Sequence, residues 1–531
     1  MALAKSHAIS LLGLSGTVVE VEADISANLP GFVLVGLPDA SLSEATSRVR
    51  AACANSGFPF PSRKITVNLS PASVPKSGSG FDLAIAVSVL LAMQVMPKPA
   101  TKTLFVGELG LDGGLKPVWG VLPIALAARA AGFETVVVPE GNVAEASVLS
   151  GISVIGAASI KDLVGQFRGE AASASGSQLA GGVIAGDAGS VGMRAAGAGS
   201  GVDIAPTSGL DLEQVQGQSL AVQALVIAAA GGHHLSMIGS PGSGKTMLAE
   251  RLPGILPPLT VEQALEVAAV ESVLGQGSGS TLLNTVPRFQ TPHHTASVSA
   301  IVGGGMGFPR PGAVSRAHHG VLFLDEALEF QAPALEALRE PLESGRVSIH
   351  RAAGTAQFPA RFQLVLAANP CACGYSGSLT KPCTCTFTAR RRYLGRLSGP
   401  IYDRIDIRLR IQTVRISEAR GIGGANLSSA QAQEQVVVAR AVALERLSPL
   451  GLQLNSQLPT QHLRSRFHPG KTATRLLDKA LSNGATSMRG YDRCLRLAWT
   501  IADLEGATRP TEDHIALAAL LRGSDSPGDD E

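Results

Sequence analysis

A glycine-rich segment of eight residues constrains the fold of this chain more than any other part of its sequence. It follows the apolar run Leu235 to Ile238 and precedes the helical pattern of Met247 to Leu252. Its residues are Gly239, Ser240, Pro241, Gly242, Ser243, Gly244, Lys245 and Thr246. Glycines let backbone N–H groups turn toward phosphate oxygens, and a helix N-terminus adds partial positive charge. A strand, a loop and a helix in this order predict a nucleotide-binding α/β domain.

The roles of single residues follow from the chemistry of phosphoryl transfer. Lys245 is expected to reach the β- and γ-phosphates of ATP, and the Thr246 hydroxyl is expected to ligate Mg²⁺. The buried-strand run Val321 to Leu324 ends in Asp325 and Glu326. We expect Asp325 to hold the Mg²⁺ hydration shell and Glu326 to polarise the attacking water. Two acids after a strand are often a solvated turn, but their place about 80 residues after a phosphate loop favours catalysis.

A third element is the apolar run Phe362 to Ala368, which ends at Asn369. An Asn before Pro370 would by itself be a turn former. A polar side chain at the tip of a neighbouring strand can also hold the lytic water against the γ-phosphate. After the two preceding motifs, we predict this sensor role for Asn369.

The length of 531 residues exceeds what one hydrophobic core can hold, so a multidomain α/β chain is expected. Residues 1–168 alternate strand-like and helix-like runs, which indicates an α/β or α+β domain. Residues 169–209 are dominated by Gly, Ala and Ser, which predicts a flexible linker. Residues 210–412 form the predicted nucleotide-binding core, residues 413–523 are mostly helical in pattern, and residues 524–531 form an acidic disordered tail.

The patterns within residues 1–168 predict individual elements. The strand-like runs are Thr17–Ile25, Lys64–Leu69, Leu104–Glu108 and Thr135–Pro139. The helix-like runs are Ser41–Ser56, Phe81–Met96 and Val121–Ala131. Within the second of these, the apolar run from Leu83 to Met96 predicts a buried helix.

Composition excludes several classes of protein. The net charge is only +2, so the chain is no histone-like electrostatic binder, although a local basic lining remains open. Aromatic residues make up 4%, which argues against base stacking as the main binding device. The longest apolar run, Leu83 to Met96, is too short to span a membrane. Six cysteines in a chain of this length do not suggest a disulfide framework, so we expect a cytoplasmic protein with no membrane partner.

Taken together, the motifs of the core resemble the AAA+ ATPases, specifically the magnesium-chelatase-like group of the YifB/ComM type. The resemblance spans nearly the whole chain. It is carried by GSPGSGKT at 239–246, HHGVLFLDEALEF at 318–330, AANPCACG at 367–374, SGPIYDRIDIR at 398–408 and SMRGYDRCLRLAWTIADLEG at 487–506.

This resemblance implies two arginines that composition alone would not reveal. Arg404 matches the arginine finger that completes the active site of a neighbouring subunit, and Arg489 matches the second sensor arginine at the start of a lid helix. A guanidinium can spread charge over several phosphate oxygens. An inter-subunit finger implies that the active form is a ring, expected to be a homohexamer. Whether Arg489 serves its own nucleotide or that of the neighbour stays open at this point.

Residues 1–168 look similar to a Lon-protease-type domain with a ribosomal-protein-S5-like fold. The similarity is carried by PKSGSGFDLAIA at 75–86 and GELGLDGGLKPVWGVLPIALAARAAG at 107–132. A Lon-type peptidase needs a Ser nucleophile and a nearby Lys base. Here Gly80, or at best Ser79, aligns with the nucleophile, Leu122 aligns with the lysine, and Lys116 comes six positions too early. We therefore expect a retained fold without peptidase activity.

Four of the six cysteines form a pattern of two closely spaced pairs. They are Cys371, Cys373, Cys383 and Cys385. Four thiolates on one loop suit tetrahedral Zn²⁺, although C-x-C is tighter than the usual zinc spacing. Two disulfides or free thiols are the alternatives. With four protein ligands the metal would be structural and not catalytic.

Two Gly- and Pro-punctuated segments are candidates for DNA-contacting hairpins. The first runs from Gln290 to Arg310 and the second from Gly345 to Arg351. Isolated basic residues in such hairpins, Arg310, Arg346 and Arg351, could contact phosphates in the pore of a ring. Alternatively, Arg346 and Arg351 only solubilise an exposed hairpin. A second basic cluster, Arg390 to Arg392 followed by Tyr393, lies beside the cysteines, and His293 and His294 are counted as possible pore residues.

These observations predict an ATP-hydrolysing ring motor that acts on single-stranded or branched DNA. The resemblance implies a helicase-type branch-migration role in the recombination of incoming DNA, with recombination proteins as possible partners. The alternative is a magnesium-chelatase-type motor subunit that drives metal insertion into a porphyrin through a protein partner. A third option, an ATP-dependent protease, requires the dyad that the sequence lacks.

Overall fold

The computed structural model describes residues 2–36, 44–74, 76, 78–169, 209–276, 283–305, 309–351, 354–378, 381–412 and 427–523. The linker predicted for 169–209 and the tail predicted for 524–531 fall almost entirely outside these residues. The chain divides into two compact units. The first contains residues 1–201, 268–284 and 348–357, and the second contains residues 202–267, 285–347 and 358–531.

The chain is a mixed α/β protein. Its strands are β1 (Ala2–Leu12), β2 (Ser15–Ser26), β3 (Gly31–Val35), β4 (Lys64–Ser70), β5 (Thr103–Phe105), β6 (Glu108–Leu109), β7 (Leu115–Lys116), β8 (Thr135–Pro139), β9 (Ser153–Ala157), β10 (Leu235–Gly239), β11 (Phe289–Gln290), β12 (Gly303–Gly304), β13 (Arg310–Pro311), β14 (Val321–Leu324), β15 (Arg346–Arg351), β16 (Gly354–Pro359), β17 (Gln363–Ala368) and β18 (Ile407–Ile411).

The helices account for most of the remaining regular structure. They are α1 (Ala45–Asn55), α2 (Asp82–Ala92), α3 (Val121–Ala130), α4 (Val143–Ala146), α5 (Ile160–Arg168), α6 (Ser219–Gly231), α7 (Lys245–Arg251), α8 (Val261–Val273), α9 (Val298–Val302), α10 (Ala313–Arg316), α11 (Ala332–Glu336), α12 (Arg339–Ser344), α13 (Phe387–Leu394), α14 (Gly399–Tyr402), α15 (Ser429–Leu447), α16 (Thr460–Leu463), α17 (Lys471–Ser482), α18 (Met488–Leu504) and α19 (Glu512–Arg522).

The first unit is built on a four-stranded sheet and a three-stranded parallel sheet. Their strand orders are β1-β2-β4-β3 and β5-β8-β9. Helix α2 is buried along almost its whole length, as its apolar sequence predicts. The run predicted as one strand, Leu104–Glu108, is instead divided between β5 and β6, which belong to different sheets. The pattern of a short apolar run does not show where the chain passes from one sheet to another.

The sequence pattern missed the first strand, β1, which pairs antiparallel with β2 along its whole length. Its alternation is obscured because Ser6 and Ser10 face the interior. The Ser6 hydroxyl donates to the carbonyl of Ala84 at 2.7 Å, which satisfies the buried polar group. Tertiary contact with α2 therefore makes a serine acceptable at a core position.

The second unit is built on a parallel five-stranded sheet with the order β11-β14-β17-β10-β18. Val321–Leu324 and Gln363–Ala368 are buried at every position, as expected for strands covered on both faces. The predicted runs at Leu235, Val321 and Phe362 all become strands of this sheet. Helices α15 to α19 form the mainly helical C-terminal part that the pattern from Ser428 onward predicts.

No helix in the described part of the chain is both long enough and apolar enough to cross a lipid bilayer.

Candidate functional site

The predicted catalytic residues meet at the carboxyl edge of the parallel sheet. Strand β17 lies between β14 and β10. Asn369 therefore follows the central strand of the three, with the loop after β10 on one side and Asp325 after β14 on the other. Parallel strands bring their carboxyl ends to one edge, which is where α/β sheets bind ligands.

Lys245 begins α7 and is only 8% exposed. Its Nζ donates to the carbonyl oxygens of Gly239, at 2.7 Å, and Ser240, at 3.0 Å, and lies 3.4 Å from Asn369 Oδ1. Burial lowers the pKa of the ammonium, whereas the carboxylates of Asp325 and Glu326 act in the opposite direction. The lysine is thus a partly desolvated cation held by weak neutral acceptors, which suits it to receive an anion.

The two predicted magnesium ligands are in direct contact. Thr246 Oγ1 donates to Asp325 Oδ2 at 2.9 Å, and Asp325 Oδ1 accepts from the backbone N–H of Glu326 at 2.9 Å. Glu326 has a φ of 51°, a left-handed conformation that is uncommon for residues other than glycine. Such local strain is characteristic of functional sites, and here it turns the chain sharply at the end of β14.

His294, one of the two possible pore residues of the sequence analysis, contacts the predicted catalytic carboxylate. Its Nδ1 lies 3.1 Å from Glu326 Oε2. The ring of His293 packs on that of His294 at 4.2 Å, and its own Nδ1 bonds Thr295. The edge strand β11 ends only four residues before His294, and no motif in the sequence links that position to Glu326. Only the pairing of β11 with β14 reveals the contact.

A cavity of about 820 Å³ beside the phosphate loop was also missed by sequence reasoning. Gln218 lines it and donates through Nε2 to the carbonyl of Ser243 in the loop, at 2.7 Å. Its other lining residues are Leu212, Val215, Gly217, Ser219, Val222, Gln223, Val226, Ile227, Leu427, Gln435, Ile501, Leu504 and Glu505. A mostly apolar cleft with a few amide groups next to a phosphate site suits a nucleobase.

Arg404 and Arg489 lie at the opposite edge of the sheet. Ile411, at the carboxyl end of β18, is in register with Gly239, whereas Arg404 precedes the first residue of that strand. Strand β18 alone separates the two edges by about 13 Å. The Arg404 guanidinium bonds the carbonyl of Pro400 at 2.5 Å and pairs with Glu343.

Arg489, in the first turn of α18, pairs with Asp403 at 2.9 Å, and its side chain is 77% exposed. Asp403 directly precedes Arg404, so the two arginines are neighbours at this edge. Neither contacts the phosphate loop of its own chain within the described residues.

A buried ionic network fixes the elements that carry these arginines. Asp406, two residues after Arg404, accepts from Arg493 at 2.6 Å and pairs with His233 at 3.0 Å. Arg493 lies one helical turn after Arg489, and His233 bonds Thr500 of the same helix at 2.8 Å. Burial alone would raise the pKa of Asp406, but Arg493 and His233 outweigh it and hold the pKa well below its usual range. No motif in the sequence indicates this network.

The cysteine quartet forms a compact candidate metal site. The Sγ atoms of Cys371, Cys373 and Cys383 are 3.3 to 3.7 Å apart, and Cys385 Sγ lies within 4.8 Å of the other three. Four sulfurs bound to zinc at about 2.3 Å would be about 3.8 Å apart, so the arrangement fits. None of the six cysteines, all of which lie in the described residues, forms a disulfide, and Cys53 and Cys494 are buried as predicted.

A second cluster, Glu266 with His318 and His319, has ligand-type atoms close together but does not suit a metal. Both histidine Nε2 atoms lie within 3 Å of Glu266 Oε2, at 2.9 and 2.7 Å. His318 Nδ1 accepts from the backbone N–H of Arg361, at 3.0 Å, so a neutral ring must carry its proton on Nε2. That nitrogen therefore donates to Glu266 and has no lone pair for a cation.

The candidate DNA arginines do not share one environment. Arg310 lies in the hairpin of β12 and β13, and Arg346 and Arg351 lie at the two ends of β15. All three are exposed. Residues 348–357, which include Arg351, belong to the first unit, where Gln357 forms a parallel bridge with Gly13.

In the Lon-like unit, Leu122 occupies the position expected for a catalytic lysine and is buried in α3. Lys116, the lysine nearest to that position in the sequence motif, is exposed on β7. The structure adds Lys76, a buried lysine that sequence analysis did not consider. Its Nζ donates to the carbonyl of Gly36 at 2.9 Å and to that of Pro71, and desolvation lowers its pKa. The side chain of Ser79 lies outside the described part of the chain.

Comparison with known families matches three segments of the chain. Residues 21–142 match "Subunit ChlI of Mg-chelatase", residues 211–419 match "Magnesium chelatase, subunit ChlI", and residues 426–522 match "Magnesium chelatase, subunit ChlI C-terminal".

Several curated relatives extend over nearly the whole chain. An uncharacterized protein of Mycobacterium tuberculosis is 47% identical over 523 residues, 98% of this chain and 99% of that protein. Competence protein ComM of Haemophilus influenzae is 38% identical over 524 residues, 98% of each chain. The uncharacterized protein YifB of Escherichia coli is 38% identical over 527 residues, 99% of this chain and 98% of YifB.

A shorter likeness relates 140 residues to Lon protease of Mycolicibacterium smegmatis, at 31% identity, over 25% of this chain and 18% of that protein. It agrees with the Lon-type resemblance of part of the sequence. The matches over nearly full length decide the family. The chain belongs to the ComM/YifB-type magnesium-chelatase-like proteins.

Proposed function

We propose that this chain is an ATP-hydrolysing ring motor that acts on DNA, with a ComM-like helicase or branch-migration role in the recombination of incoming DNA. The observation that carries the ATPase assignment is the carboxyl edge of the parallel sheet. There the Lys245 ammonium, the Thr246–Asp325 pair, Glu326 and Asn369 converge from three neighbouring strands.

The residues at this edge fit Mg²⁺ and ATP. Ser243 Oγ is buried without a hydrogen-bond partner among the described residues, and Lys245 has only carbonyl and amide acceptors. Bound Mg²⁺ would neutralise phosphate charge between Thr246 and Asp325. Lys245 orients the terminal phosphates, Glu326 accepts a proton from the attacking water, and Asn369 holds that water in line.

The arginines support an assembly of several chains. Because Arg404 and Arg489 lie at the edge opposite their own phosphate loop, the ligand that we propose for them is a nucleotide held by a neighbouring chain. This placement favours action in trans for Arg489 as well as Arg404. A closed ring, which we take to be a homohexamer, gives every site a neighbour.

A structural zinc ion bound by Cys371, Cys373, Cys383 and Cys385 completes the proposal. The four sulfurs satisfy the spacing of a tetrahedral site, and backbone N–H groups of Ser376 and Cys385 donate to Cys371 and Cys383 Sγ, at 3.3 and 3.4 Å. The ion would fix the loop that directly follows Asn369. The proposed role is structural because no ligand position remains for substrate.

DNA as the substrate is supported by the name of the relative ComM, a competence protein, and by exposed arginines on two hairpins, Arg310, Arg346 and Arg351. In a ring, one arginine from each chain would line the pore with positive charge, although the single chain is almost neutral.

The test is steady-state ATP hydrolysis with and without single-stranded and branched DNA, with Glu326→Gln as the control. We expect DNA to stimulate hydrolysis by the natural protein and the variant to bind ATP without turnover. Hydrolysis that depends on Glu326 but ignores every DNA would overturn the choice of substrate while leaving the ATPase intact.

The alternative is a chelatase-type motor subunit, favoured by the description of all three matching families. It predicts that hydrolysis responds to a porphyrin-binding protein partner and not to DNA. The same assay with such a partner in place of DNA separates the two functions.

A further inference from the structure

A long stretch of this chain contains no acidic residue. Between Glu343 and Asp403 there is neither Asp nor Glu, although these make up 42 of the 531 residues. The stretch carries eight basic residues, Arg346, Arg351, Arg361, Lys381, Arg390, Arg391, Arg392 and Arg396. Charge is thus strongly segregated in a protein whose net charge is only +2.

Helix α13 concentrates this charge on an exposed surface. Arg391 and Arg392 are exposed, and neither has an ion-pair partner among the described residues. Phe387, one helical turn before Arg391, is 60% exposed. An aromatic ring and a guanidinium at positions i and i+4 lie side by side on a helix.

Two residues of α13 hold the helix in place. Arg390, in its middle, donates through Nη1 to Ser376 Oγ at 3.0 Å, which ties the helix to the loop of the cysteine quartet. Near its C-terminal end, Tyr393 is buried against Leu328 and Ala368. Leu328 lies two residues after Glu326, and Ala368 directly precedes Asn369.

Arg396, just beyond α13, strengthens the same link. Its Nη1 donates to the Leu328 carbonyl at 2.9 Å and to Glu329 Oε2 at 3.0 Å. The exposed face of α13 is therefore connected through a buried tyrosine and a short ion pair to the turn that carries the catalytic carboxylate.

We propose that the face of α13 formed by Phe387, Arg391 and Arg392 binds single-stranded nucleic acid. This inference rests on the proposed function and specifies a substrate contact outside the two hairpins. The guanidinium groups contact backbone phosphates, and the Phe387 ring stacks on an unpaired base. A base in a duplex is already stacked on both sides, so the surface distinguishes single strands from duplex.

The test uses the full-length protein and fluorescence anisotropy with labelled dT20, U20 and a 20-base-pair DNA duplex at two salt concentrations. Phe387→Ala should weaken binding to dT20 about tenfold and leave the duplex unchanged, and Phe387→Trp should restore dT20 binding. Comparison of dT20 with U20 shows whether the surface prefers single-stranded DNA or RNA, and we expect tighter binding of dT20. If Phe387→Ala weakened the binding of dT20 and of the duplex equally, the stacking contact would be ruled out.

The double variant Arg391→Gln/Arg392→Gln should weaken binding to strand and duplex alike and lower the salt dependence, by up to about 0.7 per lost phosphate contact on a single strand. The matched control is Arg475→Gln/Lys479→Gln, which removes the same charge from an exposed face of α17 and should bind as the natural protein does. A control as weak as the α13 variant would show that only net charge matters and would refute the site.

ATP hydrolysis without nucleic acid should be unchanged in every α13 variant, and stimulation in Phe387→Ala should recover at saturating dT20. If the natural protein hydrolyses ATP and binds dT20 while all α13 variants match it, the inference alone fails. If the natural protein binds no nucleic acid, the proposed DNA role fails with it. A ring that dissociates in Phe387→Ala, measured by sedimentation, would identify the face as a subunit contact and overturn the inference.

Discussion

The two edges of the five-stranded parallel sheet are built in opposite ways. At the carboxyl edge, Lys245 is buried against neutral acceptors, Ser243 Oγ has no partner in the described chain, and Glu326 adopts a left-handed backbone. At the amino edge, Asp406 is satisfied on both oxygens by Arg493 and His233.

The comparison indicates a division of roles within one chain. The carboxyl edge leaves the Ser243 hydroxyl and the Lys245 ammonium available to a charged ligand, which suits it to binding. At the amino edge, the satisfied Asp406 network stabilises the elements that carry Arg404 and Arg489. Groups that are positioned beforehand lose less entropy when they meet a phosphate. We therefore propose that the two edges complement one another between neighbouring chains.

The strongest test of this division is Arg404→Ala. It should reduce ATP hydrolysis by about 10³-fold or more without reducing ATP affinity to the same extent, because the finger acts on transition-state charge. Lys245→Ala should be equally inactive. A mixture of the two inactive proteins should regain activity, since some junctions then combine an intact Lys245 with an intact Arg404 from the next chain.

The measurement is hydrolysis as a function of mixing ratio, with a mixture of Arg404→Ala and Glu343→Ala as control. Glu343→Ala removes only the resting partner of Arg404. Mixed rings of Arg404→Ala and Lys245→Ala could form and still be inactive. That result would show that both edges of a chain serve the same nucleotide, and it would contradict the proposed division between chains.

The next largest effect is expected from Asp406→Asn, which leaves the charge of Arg493 uncompensated beside a buried amide. We expect a loss of about 3 kcal/mol in the free energy of unfolding. The folded pKa of Asp406 is depressed, so its stabilising contribution is present above about pH 4 and is lost as the pH falls further. The difference between variant and natural protein should therefore narrow in acid, as measured by denaturant unfolding.

Asp492→Asn provides a comparison within α18, the helix that carries Arg493, because Asp492 pairs instead with Arg464, at 3.0 Å. It should cost less stability, since Arg464 is 43% exposed. Equal losses at pH 7 would mean that the Asp406 network is no stronger than an ordinary ion pair.

A smaller effect is expected at the carboxyl edge from Cys373→Ser. The natural protein should contain one zinc ion per chain, and the variant should lose most of it. ATP turnover should fall about tenfold because the loop after Asn369 loses its anchor, while the amino edge keeps its stability. Atomic absorption and turnover measured together check this. Natural protein with far less than one metal ion per chain would disprove the zinc site.

The smallest effect is expected from His294→Ala. Loss of the contact with Glu326 should lower turnover about fivefold, or about 1 kcal/mol, with no change in KM for ATP, because only the orientation of the carboxylate is affected. His293→Ala removes a neighbouring ring that bonds Thr295 and should have no effect. A rise in turnover would mean that His294 restrains Glu326 and does not orient it.

The residues that we propose for the chemistry of the carboxyl edge could be located from the sequence. Asp325 and Asn369 each directly follow an apolar run that becomes a strand, and Lys245 follows a third such run after the glycine-rich loop, so local pattern was enough to locate them. Parallel strands then bring their carboxyl ends together whatever the rest of the chain does. The cysteine quartet could also be recognised from the sequence, because its members are close in the chain and a single loop can bring them together.

Only the tertiary structure decided the partners of these residues. His294 reaches Glu326 because β11 pairs with β14, and Asp406 meets His233 across 173 positions and Arg493 across 87 positions of the chain. The same is true of Ser6, whose burial hid the first strand from its pattern. Hydrophobic periodicity records which face of an element is buried, but it carries no record of which distant polar group will satisfy another there.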